Sequence, residues 1–196
     1  MGLTPYEITK KEGERLVEEY ASLGRHAVIV HPTRVYGPGP LNDANSVTRT
    51  VALYMKGRFR VRLADRDVLG NYVHAADVSA GMLLAAERGR SGAHYLLGGE
   101  NITFRDFLGL VAELSGVRRW VIPLPARVGM LMGSASVLWA RMGGRALLTP
   151  EWVRTFLEDR RADIGPARQE LGYAPRSLRE GLTQTIAWLR REGYVR

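Results

Sequence analysis

The stretch that most restricts the fold runs from Thr4 to Pro40, TPYEITKKEGERLVEEYASLGRHAVIVHPTRVYGPGP. Pro5 suits the first turn of a helix, where its missing N–H would be unpaired anyway, and Thr4 before it is a natural N-cap. Ile8, Leu16, Val17 and Tyr20 give that helix an apolar stripe, and Gly24 closes it. The near-continuous apolar run His26–His31 then reads as a strand covered on both faces. Pro32, Gly37, Pro38, Gly39 and Pro40 forbid regular structure immediately after it. Helix, covered strand and stiff loop in that order define an α/β arrangement. Such open sheets hold ligands outside the carboxyl ends of their strands.

The helix carries Tyr6 and Lys10 four residues apart, hence on one face. An ammonium beside a phenol favours the phenolate, and a Tyr tuned in this way passes protons to or from a substrate oxygen near neutral pH. Taken alone, the pair reads equally well as a surface contact of roughly 0.2–0.5 kcal/mol. Its position, one helix before a covered strand and a rigid loop, favours the chemical reading.

Later segments supply the rest of an α/β body. Asn42–Gly57 reads as a helix, Arg58–Ala64 as a half-exposed strand, Asn71–His74 as a short strand, Ala75–Arg88 as a helix, and Gly92–Gly99 as another strand. Thr103 with Asp106 caps a helix over Phe104–Ser115, and Ser177 with Glu180 caps a last helix reaching Arg191. Pro125–Met142 is apolar but too short for the roughly 20 residues of a membrane span, so it reads first as a buried or substrate-facing cap helix, with surface association as the lesser alternative. Thr149 caps a helix over Pro150–Asp159, and Asp163–Leu171 is a short helical piece.

The chain has no cysteine, which excludes disulfides and thiolate chemistry. Its net charge is +8, carried by arginines spread as pairs such as Arg118-Arg119, Arg160-Arg161 and Arg190-Arg191. No compact basic run interleaves with aromatics, so a solvated arginine surface is expected and a nucleic-acid partner is not. His26, His31, His74 and His94 lack metal-ligand spacing, and no metal is expected. No apolar leader opens the sequence, and the cytoplasm is the default compartment.

Tyr6-x-x-x-Lys10, Gly13-Glu14, His31-Pro32-Thr33, Val35-Tyr36-Gly37-Pro38, NYVHAADVSAGMLLAAE (Asn71–Glu87) and ELGYAPRSLREGLTQTIAWLRREGY (Glu170–Tyr194) together resemble the extended short-chain dehydrogenase/reductase family of NAD(P)-dependent epimerases, dehydratases and reductases. The resemblance covers nearly all of this chain and the later part of the family's. It implies the C-terminal part of a Rossmann-type parallel sheet with a mainly helical substrate-binding cap, and a dinucleotide-binding N-terminal half that is missing. Residues 1–40 and 71–100 would be the core, and 41–70 with 101–196 the discontinuous cap.

The resemblance also implies roles. Tyr6 would be the acid or base. Lys10 would lower its pKa and, with Tyr6, contact the nicotinamide end of NAD or NADP, a cofactor that this chain alone would bind weakly or not at all. Pro32, Thr33 and Val35 would lie along the nicotinamide ring, and Arg34 and Tyr36 would meet a small-molecule substrate. Asp77 would brace local structure and His74 would be packed. Arg34 stands where sugar-nucleotide enzymes commonly have Asn, which favours the dihydroflavonol-reductase-like or hydroxysteroid-dehydrogenase-like branch. The apolar run Val128–Trp139 favours a hydrophobic substrate. The alternative is a non-catalytic domain that binds a partner or a small apolar ligand. Without earlier strands, His26–His31 would present an open edge, and homo-oligomerisation or association along that edge is expected.

Overall fold

The computed structural model describes residues 5–63, 68–142 and 158–196, with the side chains of Pro5, Tyr6 and Arg141 left out of that description. Helix α1 (Pro5–Ser22) leads to strand β1 (Ile29–Pro32) and, after one residue, β2 (Arg34–Tyr36). A tight turn at Asp43–Asn45 precedes α2 (Ser46–Met55). Then come β3 (Val61–Leu63), β4 (Leu69–His74), α3 (Ala75–Arg88), β5 (His94–Leu97), β6 (Glu100–Thr103), α4 (Phe104–Ser115), β7 (Ile122–Leu124) and α5 (Ala126–Arg141). A wide π-type turn at Ala167–Leu171 leads to α6 (Leu178–Arg191). The helix expected over Pro150–Asp159 with its cap Thr149 falls largely outside the described residues.

The fold is α/β with parallel pairing at its centre. β1 runs parallel to β5, β2 parallel to β4, and β3 parallel to β7, while β6 returns antiparallel along β4. The turn after β5 is made by Gly98 and Gly99, where the sequence reading also closed that strand, without seeing β6 beyond it. The caps form as their residues dictate. Thr103 Oγ1 accepts from the Asp106 amide at 3.1 Å, Ser177 Oγ accepts from the Glu180 amide at 3.2 Å, and Gly116 and Gly172 take left-handed φ at 68° and 73°.

Two apolar clusters hold the body together. One joins Tyr36, Val51, Tyr54, Tyr72, Phe107, Val111, Leu178, Leu182 and Ile186, so it lies between α2, α4, α6 and strands β2 and β4. The other joins Val73, Val78, Tyr95, Leu97, Ile164 and Leu171 beneath α3. Helix α6 can approach only because position 181 is glycine: a Cβ there would collide with the Tyr36 hydroxyl. Asp77 bridges the clusters. Its carboxylate accepts from Arg176 Nε at 3.0 Å and from the Arg176 amide at 3.3 Å, tying α3 to the segment before α6.

The N-terminal segment differs from its sequence reading. Ile8, Leu16 and Tyr20, read as a buried stripe, are exposed. β1 is half-buried where full cover was expected. The amides of Ile29 and Thr33 reach across to Ala93 and Leu97 at 3.0 and 3.4 Å. By strand alternation the main-chain groups of Val28 and Val30 point the other way, to an edge that pairs with no strand among the described residues. The pattern identified the face correctly; the neighbour that would cover it is lacking among the described elements.

Candidate active site

The segment Pro32–Val35 leaves β1 and enters β2 between two clefts. The first, of about 680 Å³, lies between α1 and β1 and is lined by Thr9, Lys10, Gly13, Glu14, His31 and Pro32 among others. The second, of about 330 Å³, lies on the other side and is lined by Thr33, Arg34, Val35, Thr50, Tyr72, Phe104, Phe107 and Arg160 among others.

In the first cleft the structure brings Lys10 and Pro32 together. Tyr6 sits one turn earlier on the same helix, with its side chain outside the described residues. Polar side chains link α1 to the sheet at this cleft. Glu14 Oε1 lies 3.7 Å from His31 Nδ1, and Glu18 Oε1 lies 3.0 Å from His94 Nε2. The remaining ring nitrogens of the two histidines share a 3.0 Å hydrogen bond, with their rings stacked at 5.3 Å. Sequence reading missed this network because its members lie on three different elements. The one available signal was Glu14 and Glu18, one turn apart on one helix face.

In the second cleft Thr33 is fixed by Asn71. Thr33 Oγ1 donates to Asn71 Oδ1 at 2.7 Å, and the same oxygen accepts from the Gly99 amide at 2.8 Å. Asn71 Nδ2 donates to Gly99 O at 3.1 Å and to Asn101 Oδ1 at 2.9 Å, and Asn101 in turn holds both backbone groups of Ala162. Asn71 is buried, and every one of its polar atoms is bonded, as a buried amide requires. A polar residue inside the strand pattern NYVH was its only trace in the sequence.

Arg34 lies along the wall of this cleft. Its Nη1 donates to Tyr72 Oη at 3.1 Å, and its guanidinium sits 5.6 Å from the centre of the Tyr72 ring. Position 70 must be glycine for this: a Cβ would stand 2.6 Å from Arg34 Nη1. Burial pushes the Tyr72 phenol up, against the opposing pull of Arg34. Tyr72 stacks on Phe107 at 4.4 Å, giving the cleft an aromatic wall. Arg160, read from sequence as part of a solvated pair, lines the same cleft, because its amide bonds Leu69 O at 2.9 Å beside β4.

Tyr36 is placed elsewhere. It is 1% exposed, its hydroxyl donates to Leu178 O at 3.5 Å, and it lines neither cleft. Burial, then the nearby Asp77 charge, raises its phenol far above the ordinary range. The substrate contact expected of it is replaced by a core role, since β2 turns this side chain toward α6. His74 is packed as expected. Its Nδ1 accepts from the Ala76 amide at 3.3 Å, and its buried Nε2 has no partner among the described residues. Burial, then Arg176, lowers its pKa. Among the described residues no group of His, Asp and Glu is arranged to hold a metal ion.

Parallel strands crossed by helices define a Rossmann-type α/β protein, in which the lysine-bearing helix and β1 face one cleft. The model of the NAD dependent epimerase/dehydratase family matches residues 2–98, and the chain belongs to that family. It is similar to sterol demethylase protein B of Methylococcus capsulatus, 31% identical over 98% of this chain and 58% of the relative. It is also similar to 3beta-hydroxysteroid-dehydrogenase/decarboxylase isoform 1 of Arabidopsis thaliana, 30% identical over 92% of this chain and 44% of the relative. The crystal structure of PA4631, a nucleoside-diphosphate-sugar epimerase from Pseudomonas aeruginosa, superposes with a TM-score of 0.70 at 28% identity, covering 100% of this chain and 58% of that one. The chain spans about half the length of the curated relatives it matches.

Proposed function

We propose that this chain provides the proton-transfer and substrate side of an NAD(P)-dependent oxidoreductase site that acts on a carbonyl or hydroxyl carbon of an apolar, ring-bearing substrate. The observation that carries the reading is the shared cleft of Lys10 and Pro32, with Tyr6 one turn before Lys10 on the same helix. Tyr6 serves as acid or base at the substrate oxygen, and the Lys10 ammonium favours its phenolate by simple charge attraction. The residues present fit the nicotinamide end of a dinucleotide: an amine on one wall of the cleft, and on the other a strand end that Asn71 holds still through Thr33. The dinucleotide, when bound, supplies the hydride chemistry. Pro32, Thr33 and Val35 position it, and Arg34 meets the substrate over the aromatic wall of Tyr72 and Phe107. The names of the relatives, which speak of a sterol and a hydroxysteroid, support a hydrophobic substrate.

Fluorescence titration of the whole chain with NADH and NADPH tests this. Weak binding, at roughly 0.1 mM, weakened about tenfold by Lys10→Met, is expected, since this chain supplies only the nicotinamide side of the site. No binding at about 1 mM overturns the reading and favours a non-catalytic domain that binds a partner. The open edge of β1 offers the main-chain groups of Val28 and Val30 to another strand. Association along this edge is part of both readings.

A further inference from the structure

Helix α5 is built inside out. Its inward line sets the half-buried Met130 and Val137 among small residues, Ala126, Gly129, Gly133 and Ala140. Its outward line is large and apolar. Leu131 is 71% exposed, Leu138 59% and Trp139 62%, with Val128, Met132 and Met142 on the same side at spacings of three and four residues. That spacing makes one continuous stripe along the helix. Sequence reading assigned this stretch first to the interior or to the substrate, with surface association as the lesser alternative; the structure turns most of its large side chains to the surface, and neither cleft described above draws a lining residue from α5.

Within the segment that carries the stripe the charge is one-sided, and the Glu113 that borders Arg118, Arg119 and Trp120 is already paired with Arg179. Residues 117–142 contain Arg118, Arg119, Arg127 and Arg141 and no Asp, Glu or Lys. Trp120, beside the arginine pair, is 88% exposed, and Ile122 is 57% exposed. The parallel pairing of β3 with β7 brings the exposed Arg58 and Arg60 to the same end as Arg118 and Arg119, with the Ile122 amide bonded to Arg60 O at 2.8 Å.

We propose that α5 and the loop before it dock flat on an anionic lipid surface. An exposed apolar stripe with tryptophans and arginines and without carboxylates is the chemistry that enters the boundary between headgroups and acyl chains. Tryptophan suits that boundary because its ring is apolar and its N–H is polar. The helix lies in the plane: no described helix is long and apolar enough to cross a membrane. A second copy of this chain fits the stripe less well, since pairing two such segments sets arginine against arginine with no carboxylate to offset it.

Co-sedimentation of the whole chain with vesicles tests the proposal. Phosphatidylcholine vesicles with about one-third phosphatidylserine should retain the protein, and pure phosphatidylcholine vesicles should retain about tenfold less. Raising salt from about 0.1 to about 1 M should release it. Leu131→Ser with Trp139→Ser alters only exposed positions and should cut retention about tenfold, with circular dichroism unchanged. Arg118→Glu with Arg127→Glu should remove the preference for phosphatidylserine. Equal retention of the serine variant and the parent, or no retention on either vesicle, overturns the proposal. So does a dimer in light scattering that the serine variant dissolves while the parent ignores vesicles.

Discussion

Helices α1 and α6 carry the same kind of apolar periodicity and end in opposite environments. On α6, Leu178, Leu182, Ile186 and Leu189 are at most 2% exposed, because α4 and β4 lie against them. On α1, Ile8, Leu16 and Tyr20 are 49%, 58% and 44% exposed, and the helix is linked to the sheet by Glu14 and Glu18 reaching to His31 and His94. Periodicity therefore selects which face of a helix is apolar. Whether that face is buried depends on what the rest of the fold places opposite it. The helix on which the chemistry is proposed is the one less covered, and α6 anchors the body.

Substitutions can break or sharpen this contrast. Leu182→Ala should cost about 3 kcal/mol by urea unfolding, as large-to-small changes in a packed core do, while Leu16→Ala should cost under about 0.5 kcal/mol. Equal costs would mean that α1 packs in solution as α6 does. Asp77→Ala should cost about 2 kcal/mol, because it strips the Arg176 guanidinium and amide of their acceptor within a mostly buried contact. His94→Leu should cost under about 1 kcal/mol. Its effect should be local, with amide hydrogen exchange accelerated in α1 and unchanged in α6.

Acid should weaken the body. The pKa of His74 is lowered by folding, so the unfolded chain takes its proton first; stability is full above the ordinary value of 6.5 and falls as pH drops below it. Glu170 is held down to about 2 by hydrogen bonds from Arg90 and Tyr95, so its contribution is present above 4.5 and lost as pH falls toward 2. Urea midpoints measured against pH should decline in both windows, and His74→Asn, which keeps a capping acceptor, should flatten the upper one. The open edge itself is tested by Val30→Pro. It removes an outward main-chain donor from the edge of β1, and light scattering should show association lost while the unfolding free energy falls by no more than about 1 kcal/mol.

Much of the architecture was legible because it is written locally. Thr103, Ser177, Gly116 and Gly172 mark helix ends through their own side-chain or backbone chemistry, and those ends fall where the residues put them. The second half of the candidate site was not legible. Asn71 meets Thr33 across 38 residues, and Arg160 joins Arg34 only after β4 has been laid beside β2, so no window of sequence contains either pairing. Tyr36 misled for a related reason: its motif neighbours lie in the loop, but strand alternation turns its own ring toward Gly181, a partner 145 residues later in the chain (181 less 36). For α5 the composition was read correctly and its orientation was not, because small residues on the inward face are as much a packing signal as large ones.

Asn71 has a mechanical consequence. A single amide clasps the strand end at Thr33, the glycine turn at Gly99 and, through Asn101, the backbone at Ala162, two residues beyond Arg160. Both walls of the smaller cleft are thereby geared to one hinge pin. A guest that pushes on Thr33 must carry the arginine wall with it or break a hydrogen bond to a buried amide, so the cleft should respond to load as one stiff jaw.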